Sequence, residues 1–254
     1  MWTGDTLFVL SNMVQKDFKI RYRNMSLGIL WSVLNPLVMM SVLTFVYTQV
    51  FAAGKPQEYA IGVLCGLVPF NFFSISWVIG TNSLVDNAQL IKRALVPREV
   101  VPVAAVFANA VHLMVQLGLL VVLVLLFGRG VNRYWLLLPV IWVFAILFIC
   151  GLAMASSALN VYVRDMRYVV ESATTILFWL VPIVYPFSMI PPKFRPLYDY
   201  NPLAALIMSM RNILVEGRAP AWSLMTKLAL VSLVMFCGGW WLFRILKKRF
   251  YEFL

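Results

Sequence analysis

Residues 87–102 read NAQLIKRALVPREVVP, a charged interruption between two long apolar runs. Lys92, Arg93 and Arg98 lie within it, with Glu99 beside them and Asp86 just before. Neither flanking run could hold those charges cheaply in hydrocarbon, so the stretch belongs at a membrane face. Leu90, Ile91, Ala94 and Leu95 recur at helical spacing, which predicts a short amphipathic helix lying on that face. Pro97 ends it, because proline lacks a backbone donor and biases the residue before it away from helix. A plain positively charged loop is the alternative reading.

The rest of the chain has the composition such a break requires. Hydrophobic residues make up 62% of the 254 positions and charged residues 12%, against ~25% charged in soluble domains. The charges fall in short polar breaks between apolar runs too long for a soluble core, which identifies an all-α, multi-pass integral membrane protein. Net charge is +11. The basic residues flank apolar runs and form no nucleic-acid motif, so they read as topology determinants and contacts to anionic membrane lipids. Cys65, Cys150 and Cys237 are odd in number and lie within apolar runs, which argues for packing and against a disulfide framework. Asp5, Lys16, Asp17 and Lys19 interrupt the first apolar runs, so no cleavable leader is expected.

Taken in order, residues 5–23 are amphipathic, with Leu7, Leu10, Val14 and Phe18 on one face and Asn12, Gln15, Lys16, Lys19 and Arg23 on the other. That pattern suits a helix lying in the interface, or a soluble helix packed on a partner. Six spans follow, at about 27–51, 60–85, 100–127, 135–161, 169–185 and 223–243. Asn35-Pro36 predicts a local break or kink in the first. Residues 187–221 form a proline-rich outer region, and the apolar run 203–214 inside it is too short to cross ~30 Å of hydrocarbon. It reads as re-entrant or interfacial. One domain, 1–254, is the simplest count.

Lys16, Lys19, Arg21, Arg23, Lys92, Arg93, Arg98, Arg164, Arg167 and the closing Arg244, Lys247, Lys248 and Arg249 fall on one side of this arrangement. The short loops opposite carry only Lys55, Arg129 and Arg133. Positive charge stays inside, so both termini and residues 87–102 are expected in the cytoplasm.

The chemistry missing from the sequence is informative too. No phosphate-binding glycine loop, paired acid, metal-ligand cluster or nucleophile turn is visible, so no catalytic or metal-ligating residue is assigned. His112, with Gln116 one turn on, reads as an interhelical hydrogen-bonding group or a proton relay. The mid-span regions hold almost no charged groups, which argues against an ion-coupled carrier. Energy for uphill transport would have to enter from outside the chain.

Four stretches resemble one family, the permease subunits of ABC-2 type exporters, in particular those exporting bacterial polysaccharides and teichoic acids. They are Arg21-Tyr22 with Leu27-Gly28, Trp31 and Asn35-Pro36; Asn87, Leu90-Ile91, Arg93, Pro97 and Pro102; Arg164-Asp165; and Trp179, Pro182-Ile183, Tyr185-Pro186 with Tyr200-Asn201-Pro202. Met25, Arg93 and Val96 depart from the residues common there.

The resemblance implies a non-enzymatic transport subunit in a bacterial inner (plasma) membrane. A separate cytoplasmic ABC ATPase would bind ATP and Mg, and two copies of each chain would assemble. Residues 87–102 would be the coupling helix, with Asn87, Leu90, Ile91, Lys92, Arg93, Pro97 and Arg98 at the ATPase contact and the apolar side seated in its groove. The cargo would be a lipid-linked polysaccharide of O-antigen, capsule or teichoic acid type, passing along the two-fold axis. Aromatic rings stack on sugar faces without fixing one register, which makes Phe45, Tyr47, Phe70, Phe73, Trp77, Trp179 and Tyr185 candidates for the path. Helix packing or a lipid-facing belt is the competing reading of each. Arg195 and Arg211 are candidates for phosphate groups of the cargo, or solvated outer charges. Rival functions are an ABC-2 exporter of small lipids or drugs, an integral membrane enzyme acting on polyprenyl-linked sugars, and a passive channel.

Overall fold

In the computed structural model, which describes residues 5–23, 28–51, 55–93 and 96–250, the apolar runs become helices. A chain in lipid must close its backbone hydrogen bonds within itself, and helices do so locally. The expectations on Met25, Leu27, Ala94 and Leu95, and on the side chains of Arg21, Tyr22 and Arg93, lie outside the described residues. Every regular element among the described residues is helical. The helices are α1 (Thr6–Tyr22), α2 (Trp31–Phe45), α3 (Pro56–Asp86), α4 (Ala88–Arg93), α5 (Val100–Leu126), α6 (Leu138–Tyr162), α7 (Met166–Leu180), α8 (Arg195–Asp199), α9 (Pro202–Leu214) and α10 (Trp222–Leu246).

Five helical stretches among the described residues are long and apolar enough to cross a membrane: Gly28–Val50, Pro56–Asp86, Val100–Leu126, Arg133–Tyr162 and Trp222–Arg249. The span expected at 169–185 differs. It is helical only as α7, 15 residues or about 22 Å, and residues 181–185 continue without regular structure. Pro182 and Pro186 account for this, since neither can donate to a helix and each disfavours helix in the residue before it.

Helix α3 is the centre of the molecule. It packs against α2, α5, α6, α7 and α9, and 67% of its most apolar stretch is buried, against 6% for the first span. Helices α6 and α10 form the closest pair. Side chains are impossible where they meet, because a methyl on Gly239 would strike the Gly151 carbonyl and one on Gly151 would strike the Met235 carbonyl. Helix α9, the short apolar helix expected at 203–214, packs on α3, α6 and α10 with nine of its residues buried. Such enclosure by its own protein suits an apolar helix too short to cross a membrane.

Two local expectations gain detail. Of the break or kink expected at Pro36, the break is absent: helix α2 continues through it. The carbonyl that proline leaves without its helical donor is that of Ser32, and Gln116 of α5 supplies the missing bond from Nε2 at 3.0 Å. Helix α1, capped by the Asp5 carboxylate on the Leu7 and Phe8 amides, packs along α5. Its packed side centres on Met13 with Val9, Leu10 and Val14, and leaves Leu7 exposed. Lys16 therefore sits at a protein contact, not on a free polar face.

Candidate functional site

At one end of the molecule, α1, residues 87–102, the end of α6 and the carboxy-terminal turn meet in a second apolar cluster containing Met13, Leu84, Ile91, Val101, Met154 and Phe250. The segments carrying most of the basic residues therefore share one face, as the charge distribution requires. Asn87 ends α3. Its backbone amide and side-chain Nδ2 both reach the Ser83 carbonyl, and its Oδ1 accepts from Lys16 Nζ at 2.6 Å. Pro97 closes the loop, its carbonyl accepting from the Val100 amide at 3.0 Å.

This geometry divides the expected coupling residues. Ile91 is 2% exposed and Leu90 is half-buried, both packed on the chain's own cluster. Leu90 and Ile91, the described part of the apolar side expected in a partner's groove, therefore face inward on this chain. A six-residue helix cannot hold itself together by backbone bonds alone, so its apolar side is consumed in fastening it to α3 and α5. Asn87 and Arg98 are fasteners as well; Arg98 donates from Nη1 to the Lys247 carbonyl at 2.8 Å. Gln89 and Lys92 remain exposed.

At the opposite end the sequence-predicted residues Tyr47, Tyr185 and Arg211 come together with Tyr59, Lys55 and Glu58 around a cavity of about 320 Å³. Tyr47 and Tyr59 stack at 4.3 Å between ring centroids, nearly parallel at 9°. Irregular backbone 183–185 forms one wall, and each of its carbonyls is capped by a side chain. Arg211 donates from Nη2 to Ile183 at 2.5 Å and from Nη1 to Tyr185 at 3.2 Å, and its Nε reaches the Gly62 carbonyl at 2.9 Å. The Tyr59 hydroxyl takes the Val184 carbonyl at 2.7 Å. Backbone comes this close to α3 because Gly66 leaves room for the Ile183 Cα.

Burial pulls the Arg211 guanidinium below its ordinary pKa, yet arginine starts so high that it stays charged. Arg211 thus spends its donors on backbone carbonyls from a part-buried position at the cavity wall. Arg195 is tied to the Ile190 and Ser188 carbonyls and lines, with Arg211, Glu216 and Arg218, a neighbouring cavity of about 610 Å³.

The remaining aromatic candidates separate by helix. Phe70 and Phe73 lie on α3 and are enclosed in the core, Phe73 being 1% exposed and packed on Phe148 and Trp77. Neither ring is open to a passing polymer, a correction that follows from the central place of α3. Trp77 is half-buried beside Phe73. Phe45 on α2 and Trp179 on α7 are instead 62% and 63% exposed.

Sequence reading missed Lys16, Tyr59, Glu99, Lys247 and Phe250, whose roles depend on partners far along the chain. Arg211 carried a usable signal: a guanidinium inside an apolar helix must find acceptors, and prolines nearby free carbonyls.

A family model described as ABC-2 type transporter matches residues 9–215. The O-antigen export system permease protein RfbA of Klebsiella pneumoniae is 32% identical over 251 residues, covering 98% of this chain and 95% of the relative. The protein of the same name from Myxococcus xanthus is 29% identical, covering 96% and 94%. The polysialic acid transport protein KpsM of Escherichia coli is 22% identical, covering 90% of each.

Proposed function

We propose a function from the premise that this chain belongs to the ABC-2 type transporter family: it is the permease subunit of an ATP-driven exporter of polysaccharide. The observation that carries the reading is the end-to-end similarity to relatives named as O-antigen export permeases. A separate cytoplasmic ABC ATPase binds ATP and Mg and drives this chain, which itself is a transport component and not an enzyme. Two permeases and two ATPases assemble in a bacterial inner membrane with both permease termini in the cytoplasm. The cargo is a lipid-linked polysaccharide.

The geometry supports a division of labour between the two ends. On the fastened side, Gln89 and Lys92 stand outward from α4, where an ATPase surface would meet them. Ile91 and Asn87 pass the displacement to α3 and α5, which move as rigid bodies because packed helices shift and do not deform continuously. On the opposite side the stacked Tyr47 and Tyr59, with Tyr185, offer flat apolar rings beside Lys55 and Glu58. Rings of that kind hold sugars weakly and repeatedly. The exposed rings of Phe45 and Trp179 lie on α2 and α7, the helices that a second copy would complete into a path.

The test is purification of the chain from its native membrane in mild detergent, with identification of what accompanies it and assay of ATP hydrolysis. An ABC ATPase in equal amount is expected, and cells lacking the chain should retain lipid-linked polymer inside. A stable preparation with no ATPase would overturn the reading.

A further inference from the structure

The carboxy-terminal turn behaves unlike a simple basic stop. Lys248 and Arg249 are exposed, but Lys247 turns back and its ammonium pairs with the Glu99 carboxylate. Arg98 approaches from the same loop, donating to the Lys247 carbonyl at 2.8 Å and placing its guanidinium 5.9 Å from the centre of the Phe250 ring. Phe250 is 0% exposed. It meets Phe243 edge-on at 5.5 Å and Tyr162 at 6.0 Å, and the Tyr162 hydroxyl donates to the Leu246 carbonyl. Ile91 and Val101 complete the same cluster.

Without these contacts the loop would be fastened mainly to α3, α5 and α1. With them it is also fastened to α10, and α10 is locked to α6 where Gly151 meets Gly239. A push on a loop held by one helix pair is lost in bending, whereas a push on a loop braced to a second pair moves both. The half-exposed charges suit a brace under load: an ion pair at the water boundary re-forms after displacement without a large desolvation cost.

We propose that residues 247–250 are a strut that fixes the 87–102 loop to α10, with Glu99, Arg98, Lys247 and Phe250 as positioning residues that set how much transport each ATP yields. The inference rests on the permease reading above. It concerns efficiency of coupling, so the decisive quantity is polymer exported per ATP hydrolysed by the complete complex, not the rate of either process alone.

The experiment compares wild type, Glu99→Lys, Lys247→Glu, the double exchange and Lys247→Arg, each as the complex purified with its ATPase and reconstituted in vesicles. Each single reversal is expected to lower the ratio about tenfold, within the range of ordinary coupling between sites. The ATPase should still co-purify in wild-type amount. The double exchange and Lys247→Arg should return the ratio to within about twofold of wild type, since neighbouring charges are non-additive. Unchanged ratios in both single variants would overturn the proposal, as would a double exchange no better than the singles. If reversal lowers the yield of complex, Lys247→Met removes the pair without placing like charges together; a wild-type ratio there also overturns it. A wild-type chain that brings no ATPase sinks the permease reading, and this inference with it. Normal capture with normal ratios in the variants sinks only the strut.

Discussion

The two ends of the molecule solve the same problem, holding irregular backbone in place, with opposite chemistry. At the cavity end one guanidinium and one phenol cap three consecutive carbonyls, and the cation has backbone dipoles as its partners. At the other end the 87–102 loop is held by separable pieces: an apolar plug at Ile91, the Lys16–Asn87 bond, and half-exposed charges bridging Glu99 to Lys247. A buried charge satisfied by dipoles has no substitute, since every bond it makes is needed to offset its desolvation. Half-exposed pairs can exchange with water, so each contributes little and can be broken and remade. The contacts at the cavity end are therefore the harder to replace, and those at the loop end the easier to break and remake.

The largest test of that contrast is at Arg211. Arg211→Met leaves the Ile183 and Tyr185 carbonyls without these donors, at about 1–3 kcal/mol each. The expected result is loss of most monodisperse protein, or a sharp fall in its thermal midpoint in detergent. Arg211→Lys should recover only part, because one ammonium cannot fan across three carbonyls as a guanidinium does. A thermal midpoint unchanged by Arg211→Met would remove the distinction between the ends. Tyr59→Phe is the graded version. It removes a single cap, on Val184, while keeping the ring stacked on Tyr47. Interhelical hydrogen bonds in membranes average ~0.6 kcal/mol and reach ~1.7, so the midpoint should fall by a few degrees. A loss as large as that from Arg211→Met would mean that the caps act as one unit.

How much of this the sequence could disclose depends on the range of the physics involved. Spans bounded by charge on both sides were legible: the run expected at 100–127 is α5, Val100–Leu126, and that at 223–243 is α10, Trp222–Leu246. Length and hydropathy encode them directly. The segment after residue 180 was less legible, because Pro182 and Pro186 end the helix while apolar composition continues. Which aromatic faces inward was not legible at all. Phe73 and Phe45 have the same side chain, and only the central place of α3 buries the first. The brace on the 87–102 loop was hidden for a related reason. Glu99 and Lys247 are separated by 148 positions, and nothing local marks Lys247 as different from Lys248. Helical spacing found the apolar side of α4 but could not say which body it would face.

The smallest expected effect on stability carries the most information about that last point. Lys92 is exposed on α4, while its neighbour Ile91 is enclosed in the chain's own cluster. If α4 presents its polar side to an ATPase, Lys92→Glu should leave the thermal midpoint nearly unchanged, since surface substitutions stay within about 0.5 kcal/mol. Capture of the ATPase should fall, and fall most at low ionic strength, where a reversed rim charge is least screened. Ile91→Ala should do the reverse, lowering the midpoint by removing a buried side chain at about 2–5 kcal/mol while the folded fraction still captures ATPase. The pair of variants thus separates fastening from contact along adjacent residues of one short helix. Capture that is insensitive to Lys92→Glu but lost with Ile91→Ala at equal folded protein would mean that the apolar side is the contact after all. The loop end would then have to open before it could dock.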